Sequence, residues 1–201
     1  MASTVDLDDD RQGYVLIDED GAAQSLGAHL RDLGHRRVGI VVNGRQPTGP
    51  ARELAPGDDA DLYTDARLRL DGLRETLGPQ TEVCAVSAGH NSPEAGRSAA
   101  RFLLDRPQPP TAIACTSDVL ALGVIDVLAE RGLEVGRDVS VTGFDDIPQA
   151  QTAGLTTIRQ PIADKGRMLG RMLLDPEFTQ RRVVLDTDLV VRSSTGPATT
   201  H

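Results

Sequence analysis

Apolar residues recur along the chain in short, nearly unbroken runs: RVGIVV (37–42), TEVCAV (81–86), TAIACT (111–116), VSVTGF (139–144) and the more mixed LTTIRQ (155–160). Runs of this length without polar alternation predict strands covered on both faces. Between them the apolar positions recur at helical spacing. DEDGAAQSLGAHLRDLGH places Leu26, Leu30 and Leu33 on one face and stops at Gly34, and YTDARLRLDGLRETLG repeats Ala66, Leu70, Leu73 and Leu77 and stops at Gly78. NSPEAGRSAARFLLD opens on Ser92 as an N-cap with Pro93 at the first helical position, and SDVLALGVIDVLAERG opens on Ser117 and ends at Gly132. Strand and helix alternate, which predicts an α/β fold with a Rossmann-like parallel sheet flanked by helices.

Two stretches break the alternation. Residues 43–61, NGRQPTGPARELAPGDDAD, are rich in Pro and Gly and lack a period, so they predict a long loop where an open parallel sheet keeps its ligands. After Pro161, IADKGRMLGRMLLDPEF predicts a helix with Ile162, Leu169, Met172 and Leu173 on its apolar face, and RRVVLDTDLVVR predicts a last strand. The closing SSTGPATTH has no pattern.

Composition narrows the function classes. Three Phe, two Tyr and no Trp imply an aliphatic core and few rings for stacking on bases or sugars. A net charge of −9, with Arg36-Arg37 and Arg181-Arg182 as the only Arg pairs, provides no basic stripe, so no DNA-binding residue is expected in this chain. DLDDD near the start has no apolar signal core behind it and no run suits a membrane span, which predicts a cytoplasmic protein. Cys84 and Cys115 lie inside apolar runs and read as buried thiols; His29 and His35 fall mid-helix and at a helix end, without metal spacing. No metal and no cofactor is expected. The only lysine, Lys165, does not follow a Gly-rich phosphate turn, no dinucleotide fingerprint or GxSxG elbow is present, and Ser87 and Ser92 flank His90 without a third partner.

Polar residues do stand at strand ends. Asn91, Ser117 and Asp145 each follow an apolar run, and side chains just past the carboxyl ends of parallel strands converge on a crevice. Spacing alone leaves two readings open: a ligand pocket, or helix caps at Ser117 and Asn91 with a solvated Asp145-Asp146 turn before Pro148.

The motifs in combination carry more. Ser117-Asp118 before an ALG turn, DVSVTGFDDIP, LTTIRQPI with the following Gly166, and DLVVRSSTGP together resemble the effector-sensing domain of LacI/GalR-family transcriptional regulators. The similarity runs upstream through ARLRLDGLRETLG and DEDGAAQSLGAHLRDLGHRRVGIV, and so spans Asp18 to Gly196. The resemblance implies the carboxyl-terminal lobe of a type I periplasmic-binding-protein fold, in which two lobes hinge around a small effector such as a sugar or nucleobase. Closure then alters a homodimer carrying helix-turn-helix heads. It implies that Asp145 accepts hydrogen bonds from the effector and that Arg69, in RLRLDG, clamps it. Helical phase agrees, since Arg69 lies beside the Ala66–Leu73 stripe with the small Gly72 nearby. Ser117 stands where the family often has Asn, Asn91 where an aromatic often stacks on the ligand, and Gly136 where Pro is usual.

The same resemblance divides the chain. Residues 1–17 would be the remnant of a crossover, 18–160 the effector lobe with the 43–61 insertion, 161–178 a helix packing on an amino-terminal lobe, 179–192 a return strand and 193–201 a flexible tail. The helix-turn-helix and most of the amino-terminal lobe have no counterpart in the sequence, so DNA contact is expected only through that head. Two alternatives remain: a sugar-binding protein of a transport system, and a small α/β enzyme using Asp145 or Asp118 as a base.

Overall fold

The structure, a computed structural model, describes residues 13–45, 50–55 and 57–199. The elements run β1 (Tyr14–Ile17), α1 (Glu19–Asp32), β2 (Arg37–Asn43), β3 (Arg52–Glu53), α2 (Thr64–Leu77), β4 (Glu82–Gly89), α3 (Pro93–Leu104) and β5 (Ala112–Cys115). They continue with α4 (Asp118–Glu130), β6 (Ser140–Thr142), α5 (Pro148–Thr152), β7 (Thr157–Arg159), α6 (Ile162–Leu174), β8 (Arg182–Leu185) and β9 (Asp188–Val190).

The four continuous apolar runs become β4, β2, β5 and β6, all parallel, in the sheet order β3-β4-β2-β5-β6. Only the short edge strand β3 is antiparallel in it. Bridges from Thr142 to Thr156 and from Asp145 to Arg159 lay β7 alongside β6, and β7 pairs antiparallel with β9. β1 pairs in parallel with β8. The period of two along β2 sorts its side chains between two cores. Val38, Ile40 and Val42 face Leu26, Leu30, Leu70 and Leu73 of α1 and α2. Val41 joins Leu103, Leu120 and Val124 of α3 and α4. Burial on both faces is why these strands read as unbroken apolar runs.

The caps predicted at Ser92 and Ser117 form, and Asp18 adds one that was not predicted. Asp18, Ser92 and Ser117 each accept a first-turn backbone N–H, from Gly21, Ala95 and Leu120 respectively. At Gly72 a Cβ would lie 2.5 Å from the Asp20 carbonyl oxygen, so only glycine lets α1 close onto α2 there.

The remaining stretches differ from expectation in detail. The 43–61 loop contains β3 and a short 3-10 turn at Asp58–Asp61, and it buries Ala51 and Leu54; residues 46–49 and 56 lie outside the described residues. The last strand is two, β8 and β9. Over residues 193–199 the flexible tail expected after residue 192 is corrected by its contacts; residues 200–201 lie outside the described residues. Ser194 is 2% exposed, donates to the Val141 carbonyl and accepts from Thr156 N–H, and Ala198 N–H donates to Leu33. Polar groups of this segment pair with distant backbone, so no local period marks it. α6 buries no residue, leaving Leu173 and Leu174 each 84% exposed.

Candidate functional site

The parallel sheet delivers its strand ends to one edge. β2 ends at Asn43, β4 runs toward Asn91, β5 toward Thr116 and Ser117, and β6 toward Asp145. Thr116 Oγ1 donates to Asn43 Oδ1 at 2.8 Å. Ser117 Oγ donates to Asn91 Oδ1 at 2.6 Å while accepting from Leu120 N–H. Ser117 is thus the helix cap of one reading, and its hydroxyl also joins the polar edge through Asn91.

Arg69 is the centre of the edge, although only 6% exposed. Its Nε donates to Glu19 Oε2 at 2.7 Å and its Nη1 to the Thr116 carbonyl at 2.6 Å. Asp145 Oδ1 is 3.7 Å from Nη1, and Asp65 Oδ2 is 3.9 Å from Nη2. The guanidinium lies 3.7 Å over the Phe144 ring, a cation–π contact that offsets part of its desolvation. Arg67 and Asp71, as the helical phase predicts, are solvated.

Asp145 accepts from Gln160 Nε2 at 2.6 Å. Burial pushes its carboxyl up to about 6; Arg69 and the Gln160 hydrogen bond oppose the rise, and the negative charges of Asp118 and Glu19 add to it. Its backbone φ is 125°, and that of Asp146 is 56°. The adjacent carboxylates serve different ends. Asp146 accepts from Arg192 Nη2 at 2.6 Å and from Arg159 Nε at 2.7 Å. Burial alone would raise its pKa, but the two guanidinium hydrogen bonds bring it below the usual carboxylate range.

Asp118 is fully buried, with Oδ1 accepting from Thr157 Oγ1 at 2.6 Å and Oδ2 from Ile147 N–H at 2.9 Å. Burial raises its pKa against both hydrogen bonds. Its place exists because residue 143 is Gly, where a Cβ would lie 2.2 Å from Asp118 Oδ1. Asp118 thus pins the β6–α5 turn to β7.

All four expected residues stand at this edge, as two pairs, Arg69–Asp145 and Ser117–Asn91. Sequence reasoning missed Glu19, Phe144, Gln160 and Asn43. Among the described residues no group of three or more His, Cys, Asp or Glu side chains is arranged to hold a metal. No described helix is long and apolar enough to cross a membrane. Cys84 and Cys115 are buried free thiols, and burial raises the Cys84 pKa to about 11.

Residues 28–195 match the periplasmic binding protein-like domain. The chain belongs to that family. The HTH-type transcriptional repressor CytR of Escherichia coli K12 is 35% identical over 190 residues, covering 90% of this chain and 51% of CytR. The chain thus spans about half the length of the curated relatives it matches. A LacI-family regulator from Corynebacterium glutamicum superposes with a TM-score of 0.82 at 27% identity, covering 96% of this chain and 59% of that one. The CelR–cellobiose complex superposes with a TM-score of 0.75 at 30% identity, covering 96% of this chain and 57% of that one. The periplasmic-binding-protein domain here is the form found in LacI-family regulators, as the motifs imply, and these relatives are regulators rather than enzymes.

Proposed function

We propose that the chain is the effector-sensing lobe of a LacI/GalR-type transcriptional regulator, and that its effector is a small neutral polyhydroxy compound, a sugar or related polyol. The pairing of Asp145 with Arg69 at the carboxyl edge of the sheet carries this reading. Asp145 supplies the acceptor for ligand hydroxyls, Ser117 and Asn91 supply further hydroxyl and amide groups, and Arg69, held through Nε by Glu19 and through one Nη1 N–H by the Thr116 carbonyl, has further donors beside Asp145 with which to clamp the ligand. Glu19, Asp65 and Asp145 surround the single Arg69, a negative balance that opposes phosphorylated or carboxylated ligands. The bound cellobiose of the CelR structure supports the sugar class.

With a net charge of −9, operator contact is assigned to other parts of the regulator and not to these residues. On this reading the regulator is a cytoplasmic homodimer, and the exposed apolar face of α6 packs on the regulator's amino-terminal lobe.

Calorimetric titration of cellobiose, ribose and glucose 6-phosphate into the wild type and Asp145→Asn tests the proposal. Binding of a neutral sugar that weakens at least about tenfold in the variant, with no binding of the phosphate ester, is expected from loss of a charged hydrogen-bond acceptor. Preference for the phosphate ester, or a sugar affinity indifferent to Asp145→Asn, would overturn it.

A further inference from the structure

Two consecutive non-glycine residues with positive φ are costly and persist only where neighbours over-determine them. Asp145 and Asp146 are such a pair, with φ of 125° and 56°. The contacts that determine them converge on Asp146. Its carboxylate, 9% exposed, takes Arg192 on one oxygen and Arg159 on the other. Arg192 is itself fixed: Nη1 donates to the Leu155 carbonyl at 2.7 Å and its backbone N–H to Thr156 Oγ1 at 2.9 Å. Arg159 belongs to β7, whose Ile158 carbonyl accepts the Asp145 N–H at 2.9 Å, and is followed by Gln160, the residue that donates to the Asp145 carboxylate.

We propose that Asp146 is a positioning residue: its carboxylate, clamped between Arg159 and Arg192, holds the Asp145 carboxyl group in its place between Arg69 and Gln160. The proposal rests on the reading of Asp145 as the effector carboxylate, but the clamp is a property of the unliganded protein. The groups facing Asp145 are Arg69 from α2, Glu19 from α1, Asp118 from α4 and Gln160 after β7. Release of the clamp lets the carboxyl leave this buried setting for water.

Carboxyl-carbon NMR titration of Asp145 in the full chain tests the clamp without a ligand. In the wild type the midpoint is expected at about 6. Asp146→Asn keeps a side chain that tolerates positive φ while losing the charge that draws both arginines. Its Asp145 midpoint is expected to fall by about one unit or more, as relief of burial requires. Arg159→Gln separates positioning from charge. Arg159 is half exposed, so the variant does not threaten the fold. Removing a nearby cation would by itself raise the Asp145 midpoint, whereas loosening the clamp lowers it. A lowered midpoint in Arg159→Gln supports the proposal, and an unchanged or raised one overturns it, even where Asp146→Asn fails to fold. A clamp that passes this test in a protein that binds no sugar would sink the effector reading alone.

Discussion

The two ends of the central sheet both bury polar side chains, but they do so on opposite terms. At the amino ends of the strands, His35 is 1% exposed and meets Thr111 Oγ1 at 2.9 Å and Ser140 Oγ and the Gly196 carbonyl at 3.1 Å each. The Gly196 oxygen only accepts, which assigns the proton to Nε2 and leaves Nδ1 to accept from Thr111. Burial keeps the His35 pKa below its ordinary value, so this network is neutral. At the carboxyl ends one arginine faces three carboxylates, Asp145 is strained, and Asp65 Oδ1 is buried without a hydrogen-bond partner among the described residues. Polar burial that is neutral and paired stabilises the fold. Polar burial that is charged, strained and under-compensated costs stability and persists where a ligand completes it.

The contrast can be broken most forcefully at the amino end. His35→Ala removes a buried ring and leaves Thr111, Ser140 and Gly196 without it, a loss of about 3 kcal/mol in urea denaturation. Sugar affinity of the folded fraction stays unchanged, because the site lies at the opposite edge. The reverse sign is expected for Asp145→Gly at pH 7.5, which relieves both the positive φ and the partly buried charge: a gain of about 2 kcal/mol, with loss of sugar binding. Gly143→Ala drives a Cβ into Asp118 and Leu155. The overpacking costs about 1.5 kcal/mol, and calorimetry should show weaker sugar binding because the turn bearing Asp145 moves.

How far the chain betrays this plan depends on how local each signal is. Strands covered on both faces leave unbroken apolar runs, and serines at Ser92 and Ser117 mark helix starts, so β2, β4, β5, β6, α3 and α4 were legible. Arg69 and Asp145 were legible from helical phase, strand ends and the family motifs taken together. Glu19 was not: acidic residues are ordinary in a first helical turn, and its contact with Arg69 spans 50 residues and depends on the α1–α2 approach allowed at Gly72. Asp118 was open to a reading as a base, whereas its oxygens are occupied by Thr157 and Ile147. The closing segment carried no period because its order comes from single polar groups, Ser194 and Gly196 among them, pairing across the sheet.

The most direct measurement is the stability of the wild type and Asp145→Asn as a function of pH. Asp145 titrates at about 6 in the folded chain and near the ordinary carboxylate value, ~3.9, when unfolded, so folding favours its protonated form. The folded state therefore binds more protons between these values. Its stability is complete below about pH 4 and declines as pH rises through about 6. Asp145→Asn lacks that decline. The two proteins are expected to match at pH 4, and the variant to be more stable by about 1 kcal/mol at pH 7.5 after discounting for partial exposure of the carboxyl. A variant less stable than the wild type at pH 7.5 would contradict it, showing the ionised Asp145 to be a structural support of the same kind as His35.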